Sequence, residues 1–202
     1  MHTPALEIGF KGDRSYLHGT DVYDASLAAL RACFSEAGGR VRYSFHAIAR
    51  TALELRCGKA GAIGERPERC VAEIHLGDGA AMVSGWIVET GRAVEGRTPY
   101  DEDAIGAACA LEGQSIAMRK STGHRPIEIA IAMTKRLHYA LFPPATGKWM
   151  FTRLDIARPL QPADADGMAI AHKNKLGARL TRSDLRVREA SLGSIYFSLV
   201  DA

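Results

Sequence analysis

Apolar and polar positions change their period several times along the chain. ALEIGF (5–10) has strand character, and a polar, glycine-bearing connection, GDRSYLHGTD (12–21), follows it. From Asp21 the spacing becomes helical. Val22, Leu27, Leu30 and Phe34 fall near one stripe, Asp21 stands where an N-cap belongs, Asp24 adds charge to the first turn, and Gly38-Gly39 stop the pattern. This predicts a helix over 21–37. Val41, Tyr43, Phe45, Ala47 and Ala49 then alternate with Arg42, Ser44, His46, Ile48 and Arg50, strand-like at first and ambiguous towards Cys57. Residues 58–69 are a loop of glycine, proline and charge. RCVAEIHL and AAMVSGWIVETGRAV flank a Gly-Asp-Gly turn as the two arms of a hairpin.

The second half repeats this order. PYDEDAIGAACALEGQSIAMRKSTG (99–123) again carries acidic residues where a first turn would be, and predicts a helix over 101–118. RPIEIAIAMTKRLHYALF (125–142) is apolar enough for a buried helix or a buried strand, and breaks at Pro143-Pro144. KWMFTRLDIARPL reads as a strand, QPADADG as a connection, and the remainder as terminal antiparallel strands. DASLAAL from Asp24 echoes DAIGAAC from Asp103. The expectation is an internal duplication, with repeats over 1–98 and 99–202.

Composition narrows the function classes. Of 202 residues, 47% are hydrophobic and 24% charged, as in an ordinary globular protein, so disorder and coiled coil are excluded as the main state. With 26 Lys+Arg against 23 Asp+Glu the net charge is +3. That excess does not point to nucleic acid, but it suits an acidic ligand or carrier surface. There is no apolar run long enough for a membrane span, and no basic patch followed by a long apolar core, so a cytoplasmic protein is expected. Cys33, Cys57, Cys70 and Cys109 lie far apart, without zinc spacing, and read as packed thiols. Nothing in the sequence demands a metal or a cofactor. GDGAAM and GKAGAIGE lack the order of a phosphate loop, and the Gly-x-Ser-x-Gly elbow is absent.

A helix followed by a run of antiparallel strands, twice over, resembles the hotdog fold, in which a sheet wraps one long helix and two such units work side by side. The resemblance implies an α+β double hotdog with two central helices wrapped by antiparallel β-sheet. It further implies chemistry on acyl thioesters carried by coenzyme A or acyl carrier protein, as in fatty acid or polyketide metabolism. The activities it suggests are dehydration of 3-hydroxyacyl groups, thioester hydrolysis, or acyl-ligand or partner binding without turnover. A homodimer also fits it.

The residues that fit this resemblance are few. His18, in YLHGTD just before the first helix, stands where hotdog dehydratases carry a histidine, although His-Gly-Thr replaces their His-Phe-Pro. An imidazole suits removal of the C2 proton of a 3-hydroxyacyl thioester; the structural alternative is a loop histidine bonded to local backbone. The dehydratases pair that histidine with a carboxylate on the central helix of the other unit. Aligning Asp103 with Asp24 places Glu112 opposite Cys33, so the pair expected to form one composite site is His18 and Glu112. Among apolar neighbours on a helix, Glu112 would be held near neutral as a general acid, or would serve as nucleophile or base in a thioesterase. Tyr16, Gly19, Asp21, Tyr23 and Gln114 are the candidate substrate contacts. Asp21 has a capping alternative, and at least one of the two tyrosines has a core alternative. Other features carry a plainer reading. His46, alternating with Arg42 and Arg50, fits an exposed sheet face ahead of a phosphate or pantetheine contact, and His138 fits packing under Pro143-Pro144. The basic run Arg119-Lys120 with His124-Arg125 fits a solvated loop or an anion dock.

Overall fold

A computed structural model describes residues 1–59 and 61–201. The chain divides into two compact units, Met1–Tyr100 and Asp101–Ala202.

The first unit runs β1 (Ala5–Leu6), β2 (Phe10–Lys11), α1 (Gly19–Cys33), β3 (Val41–Phe45), β4 (Leu53–Lys59), β5 (Cys70–Leu76), β6 (Val83–Glu89) and β7 (Arg97–Thr98). Its antiparallel strands lie in the order β1-β4-β6-β5-β3. Alternation places Leu53, Leu55 and Cys57 of β4 and Ala72, Ile74 and Leu76 of β5 in the core, where α1 packs with Val22, Tyr23, Leu27 and Leu30. The hairpin around Gly77-Asp78-Gly79 forms as the sequence predicts. The helix does not cover 21–37. It starts two residues earlier, with His18 as N-cap, and ends at Cys33. Asp21 therefore sits inside the first turn, and the acidic group read as a cap is spent elsewhere.

The second unit runs α2 (Glu102–Ala107), β8 (Cys109–Glu112), β9 (Ser115–Met118), α3 (Pro126–Leu141), β10 (Lys148–Ile156), β11 (Met168–Leu176), β12 (Leu180–Val187) and β13 (Ala190–Val200). Its strand order is β10-β13-β12-β11-β9-β8. Both units place a long helix between their first sheet strands and the strand that ends up at the far side. They differ in the middle, where β11, β12 and β13 are consecutive neighbours, whereas β4 of the first unit pairs with β6 rather than β5. A bulge between Phe151 and Arg153 shifts the inward parity of β10 from Trp149 to Leu154 and Ile156.

The helix expected over 101–118 is corrected. Only Glu102–Ala107 is helical, capped by the Asp101 carboxylate, which accepts from the Ala104 N–H at 2.9 Å. Beyond it the chain folds into the β8–β9 hairpin, with Glu112 opposite Ser115 and Gly113-Gln114 as the turn. Gly113, at φ +57°, supplies the left-handed conformation such a turn favours. The alanines of this stretch suit a helix or a strand. What decides is the inward alternation of Ile116 and Met118, and the pairing of Ser115–Ala117 with β11.

The long helix of this unit is instead α3 (126–141), the segment left open between helix and strand. Pro126 opens it, and Glu128 at the third position accepts from the Arg125 backbone N–H at 2.9 Å. From Ile127 to Thr134 every residue is buried, so the sequence shows no amphipathic stripe there.

Candidate active site

The best-built polar cluster lies in the first unit, around the loop that enters α1. β2 and β7 run parallel, Phe10 beside Arg97 and Lys11 beside Thr98. The Gly12 N–H donates to the Thr98 carbonyl at 2.9 Å, and the Leu17 N–H to the Ala49 carbonyl at 2.9 Å. The Arg97 guanidinium donates to the Gly12 carbonyl and, at 3.0 Å, to that of Arg14. These ties fix the backbone on which His18 stands.

His18 is the N-cap of α1, and its carbonyl accepts from the Asp21 and Val22 N–H groups. Its side chain makes no capping bond. The half-buried imidazole instead places Nδ1 2.7 Å from the hydroxyl of Thr20, and its ring packs 5.3 Å from that of Tyr100. Thr20 is fully buried. Lys11, 4% exposed, reaches the same hydroxyl at 3.4 Å and the Asp21 carboxylate at 2.9 Å, and lies 4.6 Å from the centre of the Tyr100 ring. A buried ammonium needs such an anionic partner. Asp21 is thus the counter-ion of Lys11 rather than the cap.

The other candidates of this unit separate. Gly19 opens the helix beside His18, and Tyr16 is half-buried in the same loop. Tyr23 is 1% exposed and meets Tyr43 edge-on at 5.4 Å; burial raises its phenol far above the usual range. It is a core residue. Lys11, Thr20 and Tyr100 were not singled out in the sequence. Thr20, adjacent to Asp21, was readable only as part of a helix start, and Tyr100 comes to His18 through the β2–β7 pairing.

In the second unit Glu112 stands at the end of β8, on the exposed hairpin, with its side chain 68% exposed and ion-paired to Arg119. The desolvation argued for it on a helix face does not apply. Gln114 is exposed in the hairpin turn, and its carbonyl accepts from the His172 N–H at 2.8 Å. Among the described residues of α3 the one carboxylate is Glu128, 6% exposed, with Arg125 donating to it at 2.7 Å.

The remaining histidines are engaged locally. His138 is 1% exposed and packs among Trp149, Phe197, Phe142 and His172. His75 bonds Ser84 at 2.8 Å, and His46 faces Glu73 at 3.9 Å. Among the described residues no group of three or more His, Cys, Asp or Glu could hold a metal ion, and no helix is long and apolar enough to cross a membrane.

No protein-family model matches the sequence, and no curated protein matches it. Solved structures do match. The dehydratase domain of PpsC from Mycobacterium tuberculosis, in complex with C12:1-CoA, is 10% identical at a TM-score of 0.51, covering 98% of this chain and 92% of that one. The pyran synthase domain from module nine of the sorangicin pathway is 11% identical at a TM-score of 0.51, covering 99% and 92%. The fold is the hotdog fold. At these identities the likeness concerns the hotdog fold alone.

Proposed function

We propose that this hotdog protein acts on acyl thioesters of coenzyme A or acyl carrier protein, as a 3-hydroxyacyl dehydratase-like enzyme with His18 at the reacting atoms. The observation that carries the reading is the use made of His18. It occupies an N-cap position yet gives its ring to Thr20 and Tyr100 instead of to the helix backbone. A capping role therefore does not explain it, and the resemblance asks for a histidine in this loop. An imidazole there has two ways to serve. A bare ring nitrogen can take the C2 proton, and an N–H can hold the thioester carbonyl oxygen, where negative charge gathers as that proton leaves.

The resemblance also asks for a carboxylate on a central helix. Glu112 lies on a hairpin, and Glu128 is the carboxylate that α3 carries. The test is a panel of 3-hydroxyacyl thioesters, with enoyl product and free thiol read separately. Enoyl product supports the reading, provided His18→Ala lowers turnover by about 10²–10⁴-fold. Free thiol without enoyl product makes the protein a thioesterase. Binding without either product makes it an acyl-binding protein.

A further inference from the structure

We propose that Thr20 and Lys11 hold His18 in the neutral form whose hydrogen is on Nε2, so that the imidazole meets its substrate as an N–H donor. The proposal rests on the acyl-thioester reading and adds the direction of the hydrogen bond His18 makes.

The Thr20 hydroxyl is fully buried, and its partners are the Lys11 ammonium at 3.4 Å and His18 Nδ1 at 2.7 Å. An ammonium has only hydrogens to offer, so Lys11 occupies a lone pair of the Thr20 oxygen. The hydroxyl's own hydrogen then has one acceptor, the lone pair of Nδ1. A neutral imidazole carries a single hydrogen, and with Nδ1 accepting, it must sit on Nε2. The reverse arrangement, Nδ1–H donating to Thr20, strands a buried hydroxyl hydrogen with no acceptor, which is the costlier state. Lys11 is itself held by the Asp21 carboxylate at 2.9 Å and lies against the Tyr100 ring, so the cation that sets this order is fixed in place.

The consequence divides the chemistry. A nitrogen that already carries hydrogen cannot take the C2 proton, whereas it can hold the thioester oxygen as charge develops there. Thr20 and Lys11 are positioning residues in this scheme, acting through His18.

The test needs no substrate. Long-range nitrogen–proton spectra of the ¹⁵N-labelled protein at alkaline pH, with the His18 signals assigned by their loss in His18→Gln, report which ring nitrogen bears hydrogen. A single form with hydrogen on Nε2 is expected in the wild type and in Thr20→Ser, and a mixture of both forms in Thr20→Val. Hydrogen on Nδ1 in the wild type overturns the proposal, as does a Thr20→Val spectrum identical to the wild type. The wild-type spectrum decides even if the valine variant fails to fold. If the expected form is found and no thioester is turned over, the functional reading fails and the hydrogen placement stands. If turnover is found with hydrogen on Nδ1, the reverse holds.

Discussion

The ring of His138 lies flat against that of Phe197, with centroids 5.3 Å apart and planes 11° from parallel. Its Nδ1 donates to the Thr134 carbonyl at 2.6 Å, while Nε2 is buried with no hydrogen-bond partner. Burial pushes this imidazole down to about 4. The folded state therefore prefers it neutral, whereas an unfolded chain titrates it near 6.5. Between those values the unfolded chain binds more protons. The contribution is complete above about 6.5 and is lost as pH falls towards 4, amounting to at most about 3 kcal/mol. Burial lowers His172, packed beside it, in the same direction. Denaturant midpoints over this pH range should fall with pH in the wild type and fall less steeply in His138→Phe. Equal slopes in the two proteins would refute the account.

The hairpin of β5 and β6 was legible in the sequence because alternation and a Gly-Asp-Gly turn coincide. His18 was legible because a histidine in a glycine-bearing loop before a helix stands out. The placement of Glu112 failed for a local reason. AACALEG satisfies a helical stripe, and the hairpin exists because β11 offers Ser115–Ala117 a partner that local pattern cannot reveal. The helix at 126–141 hid its period because its first two turns, 127–134, are buried on every side and lack the polar face that would display it.

The two glutamates of the second unit should respond differently to amidation. Glu112→Gln removes an exposed pair with Arg119 and should change unfolding free energy by less than about 0.5 kcal/mol. Glu128→Gln weakens a buried helix start and its bond from Arg125, and should cost about 1–2 kcal/mol. Equilibrium urea unfolding of the two variants measures both changes, and equal losses in the two would contradict this account.

Removing the counter-ion of Lys11 should be worse than removing both charges. Asp21→Asn leaves a buried ammonium without its anion and should destabilise the fold by about 2–3 kcal/mol. Lys11→Met combined with Asp21→Asn should cost less than the sum of the single changes, since the two groups interact directly. A double-mutant cycle by urea denaturation measures the difference, and strict additivity would contradict the pairing.

Cys57 should resist alkylation in the native protein. Burial in β4, with the Cys33 thiol beside it, pushes its thiol up to about 12, so little thiolate exists at neutral pH. Iodoacetamide followed by peptide mass mapping should leave Cys57 unmodified until denaturant is added. Rapid native labelling at Cys57 would show that the strand opens.

The order of strands bears on how each half reaches its structure. β11, β12 and β13 are joined by two consecutive hairpins, so each strand finds its neighbour across a short stretch of chain. In the first unit β4 must wait for β6 and bypass β5, which closes a longer loop before any pairing is gained. Protection of backbone amides in a refolding pulse should accordingly arise first in 168–200. The strand 53–59, the first after the Ala49 carbonyl that anchors the His18 loop, should be protected later, so that the meander is present before the segment that would carry the chemistry is set.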